Sequence, residues 1–286
     1  MEFLRSILFV PAIRPRFIEK APTSGADAVC LDLEDSVPPA EKQNGREVLR
    51  EIIPTMERTG YKLFVRVNGL DTGLLEGDLD AVVTQHLDAI TLPKCNNPEI
   101  LRQVDAYLTY LERTRDLQPG RVKILPWIET AEAFVKVTDI LQASPRLIGA
   151  SIGPEDFAND LGVMRTREST EILFARYQLA VACTYAKILA ADGPVMDFRD
   201  QELLEQDASF SRSIGFRGKY CIHPDQVATV NRIYSPREDE LEFARKVVTA
   251  YEAGQKEGVG AVSMDGVVVD WPVYTRALAI LKSVQS

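Results

Sequence analysis

Val122-Lys123-Ile124-Leu125-Pro126-Trp127-Ile128-Glu129-Thr130 is a short apolar run that ends in an acid, and a helical pattern follows it over residues 131–142. The same figure returns at residues 147–152, which lead through Gly153-Pro154 into Glu155-Asp156 and another helical pattern. Short apolar runs bounded by polar turns read as buried strands. Strands that alternate with helical stretches read as a parallel sheet with helices outside it. Working outward, further runs of this kind occupy residues 7–10, 28–33, 63–67, 89–92, 194–196 and 219–222. Helical stretches separate most of them, at 41–58, at 100–115 and in a long Ala-rich segment at 170–191. Eight such repeats predict a closed (β/α)8 TIM barrel, a fold that commonly takes about 250 residues, over an open doubly wound sheet. No GxGxxG fingerprint or Gly-rich phosphate loop supports a dinucleotide-binding sheet.

The barrel is expected to occupy residues 1–235. Ser235-Pro236-Arg237 is a break, and residues 236–286 form a C-terminal lid or oligomerisation segment. That segment reads as a charged helix over 238–257, a hairpin turning at Asp265-Gly266, and a last helix over 272–283.

The chain has 286 residues, is 45% hydrophobic and carries a net charge of -9. No basic cluster provides a footprint for nucleic acid, although local Arg and Lys groups can still hold an anionic ligand. The four cysteines form no CxxC pair, so zinc and dithiol redox chemistry are not indicated, and buried reduced thiols fit a cytoplasmic protein. Residues 1–11 read as the first strand and not as a signal peptide, and no apolar run is long enough to span a bilayer.

A barrel carries its chemistry at the carboxyl ends of its strands. Polar residues gather at those ends here: Asp32-Leu33-Glu34-Asp35, Arg66-Val67-Asn68, Pro93-Lys94, Glu129, Asp156 and His223. Two carboxylates from successive strand ends suit Mg2+, which takes one or two of them and leaves its other positions to water and substrate. The competing reading of Glu129 and Asp156 is that each caps the helix after it. Arg66 has the planar fork that grips a carboxylate, or else it forms an ion pair with Glu34 or Asp35 across the barrel mouth. With two histidines in the chain, His223 is expected to be a buried, hydrogen-bonded residue that shapes strand eight. Lys94 is expected to pair with nearby acids in preference to forming a Schiff base.

In this order and spacing, these residues make the chain resemble the citrate lyase beta-chain family of the HpcH/HpaI aldolase superfamily. The resemblance rests on Arg5-Ser6 with Phe9-Val10-Pro11, Asp32 to Val37, Arg66-Val67-Asn68, Leu92-Pro93-Lys94, Ile128-Glu129-Thr130, Gly153 to Phe157, Gly218-Lys219 and Ile222 to Gln226, and it covers nearly the whole chain. It implies a Mg2+-dependent barrel enzyme that cleaves a 3-hydroxyacyl thioester, such as malyl-CoA, citramalyl-CoA or β-methylmalyl-CoA, into an acyl-CoA and pyruvate or glyoxylate. By the same resemblance Glu129 and Asp156 hold the metal. Arg66 holds the substrate carboxylate or alkoxide, Glu34 supports it, and Arg16 and Lys20 meet the CoA phosphates. The segment Gly266-Val267-Val268-Val269-Asp270-Trp271-Pro272 resembles the lid of free-standing acyl-CoA lyases, which makes Asp270 the acid/base, in its own or a neighbouring subunit of a homotrimer or hexamer. Without the resemblance, Asp270 reads as a helix N-cap ahead of Pro272. Other functions in view are a citrate lyase beta chain working on an acyl carrier protein, a thioesterase or malate synthase-like enzyme, and a non-catalytic acyl-CoA-binding protein.

Overall fold

The computed structural model describes residues 4–284. Residues 4–234 form one compact unit, and residues 235–284 belong to a second.

In the first unit, β1 (Ser6–Pro11), β2 (Ala28–Asp32), β3 (Lys62–Arg66), β4 (Ala89–Leu92), β5 (Lys123–Ile128), β6 (Gly149–Ile152), β7 (Leu189–Asp192) and β8 (Gly218–Cys221) close into a barrel in chain order. All neighbours are parallel, and β8 closes on β1. The helices α1 (Pro15–Lys20), α2 (Lys42–Ile52), α3 (Leu75–Val82), α4 (Pro98–Thr114), α5 (Ala131–Val135), α6 (Val137–Ile140), α7 (Pro154–Asp160), α8 (Leu173–Ala186), α9 (Gln201–Ser213) and α10 (Pro224–Tyr234) lie between and after the strands. The closed (β/α)8 barrel is therefore as the strand–helix alternation predicts. Of the expected first strand, residues 1–3 lie outside the described residues.

One strand differs. The expected strand at 194–196 is a loop, and β7 lies inside the stretch expected to be the end of a long helix. The reason is tertiary. α8 stops at Ala186, where Lys187 turns into the left-handed region (φ 59°). Leu189 and Ala191 then join Tyr220 in the barrel interior, while Asp192 meets Arg176 and Lys219. An Ala-rich stretch favours helix only weakly, and barrel closure outweighs that preference. Residues 131–142 also break in two, at Lys136.

Side chains on a strand alternate between its two faces, and this parity builds the site. One set of positions turns inward: Ile7, Phe9, Cys30, Phe64, Leu125, Trp127 and Tyr220 fill the barrel. The other set, including Val29, Leu31, Leu63, Val65 and Ile124, packs in the main core with residues of the helices. Asp32, Arg66 and Glu129 have the inward parity of Cys30, Phe64 and Trp127, and they stand at the carboxyl end. Phe9, Trp127 and Tyr220 stack beneath them with ring centroids 4.6–5.8 Å apart, closing the barrel with an aromatic floor.

The second unit is a helical hairpin, α11 (Glu238–Lys256) and α12 (Trp271–Lys282), with an antiparallel pair, β9 (Val262–Met264) and β10 (Val267–Val269), between them. Asp265 and Gly266 both have positive φ (51° and 81°), as a two-residue hairpin turn requires. Its core is small: Ala244, Val247, Tyr251, Val269 and Ala277. Among the described residues no helix is long and apolar enough to cross a membrane.

Candidate active site

Asp32 organises the mouth of the barrel. Its carboxylate is buried and accepts four hydrogen bonds. Two come from Arg66 Nε and Nη2 (2.7 Å each), and two come from the backbone N–H groups of Glu34 (2.9 Å) and Ser36 (3.1 Å). Burial raises its pKa, but the guanidinium and these donors outweigh burial and hold it below the usual carboxylate range. Arg66 is thus fixed edge-on by Asp32, and its face lies 4.5 Å over the Phe9 ring. Its Nη1 points to Glu34 Oε2 at 2.9 Å and to Asp35 Oδ2 at 3.2 Å. The ion pairs with Glu34 and Asp35 read from the sequence are therefore present, and Asp32, given no role there, is the stronger partner. Its inward parity, shared with Cys30, is the signal that identifies it.

Glu34 is buried, and its Oε2 has no hydrogen-bond partner of good geometry despite the nearby Arg66 nitrogen. Burial, reinforced by Asp35, Glu129 and Asp32 against Arg66, pushes this carboxyl up to about 8. The turn carrying it is held from behind by Lys42, whose Nζ donates to the carbonyls of Leu33 and Glu34 (2.7 Å each). Asn68 Nδ2 donates to the Leu33 carbonyl as well, at 3.1 Å. Neither contact has a signature in local sequence.

Glu129 is 4% exposed, and its Oε1 accepts the Lys94 backbone N–H at 2.6 Å. Burial first, and Asp156 second, push it up to about 7. Gly153 allows this placement: a Cβ there would lie 2.2 Å from Glu129 Oε2 and 2.6 Å from its Cβ. Asp156 stands in the first turn of α7 with its side chain open to the cleft, and loss of solvent together with Asp35 raises its pKa. Neither acid caps its helix. Thr130 caps α5 in place of Glu129, accepting the Ala133 N–H at 3.1 Å, and the N-cap position of α7 is Gly153. Lys94 meets Glu129 through its backbone. Its left-handed conformation (φ 52°) places a non-glycine residue where strain is tolerated when the surroundings demand it.

Arg66, Glu129 and Asp156 line one cleft of about 380 Å³, with Asp32, Asp35 and Trp127. Glu34 joins them through Arg66. Arg16 and Lys20 are exposed on α1 and do not line that cleft. Asp270 lies in the second unit, where it is the N-cap of α12: Oδ1 accepts the Val273 N–H at 3.2 Å, with Pro272 in the first turn. His223 departs from expectation. β8 ends before it, its half-exposed ring stacks on Phe198 (centroids 4.5 Å), and Nδ1 accepts the Asp225 N–H at 3.2 Å. The buried side chain that shapes this strand end is Gln226, which accepts from the Ile222 and His223 N–H groups and donates to the Val195 carbonyl. All four cysteines are buried free thiols, and burial pushes Cys183 and Cys221 up to about 12, so they are inert at neutral pH.

Residues 5–224 match the family model of HpcH/HpaI aldolase/citrate lyase. The chain is 34% identical over 278 residues to the citrate lyase subunit beta of Leuconostoc mesenteroides subsp. cremoris, an alignment that covers 97% of this chain and 92% of that protein. It is 35% identical over 304 residues to the L-malyl-CoA/beta-methylmalyl-CoA lyase of Cereibacter sphaeroides, covering 98% of this chain and 94% of that one. Among solved structures, protein CitE from Mycobacterium tuberculosis, in complex with magnesium, acetoacetate and coenzyme A, superposes with a TM-score of 0.81 at 29% identity, covering 98% of each chain.

Proposed function

This chain belongs to the HpcH/HpaI aldolase/citrate lyase family, and from that premise we propose that it is a Mg2+-dependent carbon–carbon lyase. Its substrate is a 3-hydroxyacyl-CoA (citramalyl-CoA, malyl-CoA or β-methylmalyl-CoA), and its products are an acyl-CoA and pyruvate or glyoxylate. The observation that carries this reading is the gathering of acids at the mouth: Asp32, Glu34 and Asp35 meet Arg66, Glu129 and Asp156 line the same cleft, and the carboxyl of Glu129 is pushed up to about 7 by burial and by Asp156. Two hard oxygen donors that leave room for substrate and water fit Mg2+.

Glu129 and Asp156 would hold the ion. When bound it supplies Lewis-acid stabilisation to the oxygen that becomes the 2-oxo acid carbonyl. In the reaction the 3-hydroxyl loses its proton and the bond between carbons 2 and 3 breaks. The electron pair passes to the thioester enolate, which takes a proton at carbon 2. Arg66, fixed by Asp32 and Phe9, binds the carboxylate of the departing 2-oxo acid with its remaining N–H groups. Glu34, whose carboxyl burial pushes up to about 8 in the metal-free chain, stands beside Arg66 and supports its placement. Asp270 supplies the acid/base from the C-terminal lid, residues 236–286; its cap uses Oδ1 and leaves Oδ2 for a proton. Arg16 and Lys20 are exposed for the phosphates of CoA. The citrate lyase subunit beta relatives favour a second reading, in which the same chemistry acts on a carrier-bound citryl thioester.

The test is release of 2-oxo acid from malyl-CoA, citramalyl-CoA and β-methylmalyl-CoA, each with Mg2+ and with chelator. Mg2+-dependent pyruvate or glyoxylate is the expected result and names the substrate. Folded, metal-loaded protein that releases neither from any of the three overturns the acyl-CoA reading in favour of the carrier-bound substrate.

A further inference from the structure

The turn that carries Glu34 is bonded throughout its main chain, while its side chain is left open. The Leu33 N–H donates to the Arg66 carbonyl (2.9 Å), and the Glu34 N–H donates to Asp32 (2.9 Å). The Leu33 carbonyl accepts from Lys42 Nζ (2.7 Å) and Asn68 Nδ2 (3.1 Å). The Glu34 carbonyl accepts from Lys42 Nζ (2.7 Å) and the Val37 N–H (3.0 Å). Glu34 Oε2, by contrast, lies 2.9 Å from Arg66 Nη1 and yet is in no hydrogen bond, because the distance is met and the direction is not. The supports come from behind the mouth. Lys42 stands at the start of α2 and Arg46 one turn along it. On α3, the fully buried Asp78 accepts Arg46 Nε with Oδ1 (2.7 Å), and the N–H (2.8 Å) and Nδ2 (2.6 Å) of Asn68 with Oδ2. Asp78 and the Leu33 carbonyl thus take both Nδ2 protons and fix the amide. Gly45 lets α2 approach: a Cβ there would lie 3.1 Å from Leu33 Cδ2 and 3.6 Å from the Ala12 Cβ. Burial lowers the pKa of Lys42 against Asp32, Glu34, Asp78 and Asp35, yet its bonds go to the two carbonyls.

We propose that Lys42 is a positioning residue for the 2-oxo acid end of the substrate. By pinning the Leu33 and Glu34 carbonyls, it keeps Glu34 beside Arg66 without letting that carboxyl take an N–H. The guanidinium has one N–H on Nε and two on each terminal nitrogen. Asp32 takes one from Nε and one from Nη2, and Asp35 takes one from Nη1 (3.2 Å). One N–H then remains on each terminal nitrogen, the pair that grips a carboxylate in two bonds. Glu34 Oε2 already stands at hydrogen-bond distance from Nη1, so a small shift of the turn would align it with the N–H there and remove half of that grip. Lys42 prevents the shift. Two short bonds from one ammonium to successive carbonyls hold the turn at two points, and Asn68 holds it at the first of them from the end of β3. The inference rests on the lyase reaction proposed above, in which Arg66 binds the carboxylate, and it names a residue outside the cleft lining that governs this contact.

The experiment is calorimetry of pyruvate and glyoxylate binding to the Mg2+-loaded full chain, in wild type, Lys42→Met, Glu34→Ala and the double variant. Turnover of malyl-CoA, citramalyl-CoA and β-methylmalyl-CoA is measured beside it. Lys42→Met should weaken 2-oxo acid binding roughly tenfold, the scale of one hydrogen bond to a charged group. It should lower kcat/KM by the same factor, with unchanged circular dichroism. In the Glu34→Ala background the same substitution should change affinity by less than about twofold, since no carboxyl is left to close on Arg66. Lys42→Gln carries the same cycle if the Met variant does not fold. Wild-type affinity in Lys42→Met, or an equal loss in both backgrounds, overturns the positioning role and leaves the lyase reading standing. Coupling in binding without release of 2-oxo acid from any thioester overturns the lyase reading and leaves the positioning role standing. Mg2+-loaded wild type that binds neither pyruvate nor glyoxylate overturns both.

Discussion

Two clusters of charge are built on the same barrel, and they differ in balance. Behind β7 and β8, Asp192 meets Lys219 (2.6 Å) and Arg176 (2.9 Å), and Asp207 meets Lys219 (2.5 Å) and Arg176 (2.7 Å). Two cations face two carboxylates, each touching both of the opposite sign. At the mouth, Arg66 meets Asp32, Glu34 and Asp35, with Glu129 and Asp156 beyond it, and these five acids outnumber Arg66 together with nearby Lys42 and Lys94. Burial works on Asp207 in the one cluster and on Glu129 and Glu34 in the other in the same direction, toward higher pKa. In the quartet the cations win and hold Asp207 at about 2. At the mouth Arg66 holds Asp32 low as well, but for Glu129 and Glu34 burial wins, and they rise to about 7 and about 8. A cluster that serves the fold closes its charges internally. One that serves a ligand leaves a deficit for the ligand to fill.

The sharpest way to break this contrast is to unbalance the quartet. Lys219→Met leaves both carboxylates buried with only Arg176, and removing one partner from a buried charge group typically costs about 3–5 kcal/mol. Urea unfolding should show a loss of that size. A variant as stable as the parent would mean that the quartet is solvated and is no counterpart to the mouth.

The same operation at the mouth should have the opposite sign for stability. Glu129→Gln removes negative charge from a cluster that has too much of it, so the metal-free melting temperature should hold or rise. Turnover should fall by about 10²–10³-fold, the scale for losing a group that stabilises developing charge, and Mg2+ binding measured by calorimetry should weaken with it. A fall in metal-free stability comparable to that of Lys219→Met would make Glu129 a structural residue.

The two clusters also differ in how plainly the sequence displays them. Glu129, Asp156 and Arg66 are legible because each stands at the end of an apolar run, and strand ends are where a barrel gathers its chemistry. The closed eight-stranded fold is legible because its signal repeats. Asp32 is visible in the same motif without a role, since its importance lies in facing Arg66 across the β2–β3 register, a non-local fact. Lys42 escapes notice for the same reason: its bonds to the Leu33 and Glu34 carbonyls depend on how α2 returns over β2. β7 is hidden because Leu189-Ala190-Ala191 favours helix when read alone.

The smallest expected effect sharpens the comparison most, because the two clusters predict opposite slopes with pH. In metal-free protein Glu34 and Glu129 keep protons that the unfolded chain, with carboxyl groups near 4.5, has already released. The native state then binds more protons than the unfolded one between about pH 4.5 and 8, so stability falls as pH rises through that window. Displacing one carboxyl by a single pH unit is worth about 1.36 kcal/mol, so the expected loss across the window is on the order of a few kcal/mol, shared between acids that titrate together. Asp207 has the reverse sign: held low in the folded chain, it contributes stability that is lost only as pH drops below about 4 toward 2. Mg2+ competes with the mouth protons, so it should raise the melting temperature more at pH 8 than at pH 5, and in Glu129→Gln this difference should shrink. Thermal melts from pH 3 to pH 8, with and without Mg2+, separate the two clusters. If metal-free stability instead rises from pH 5 to pH 8, the mouth carboxyls are ionised and compensated in the native state, and the deficit that distinguishes the mouth from the quartet does not exist.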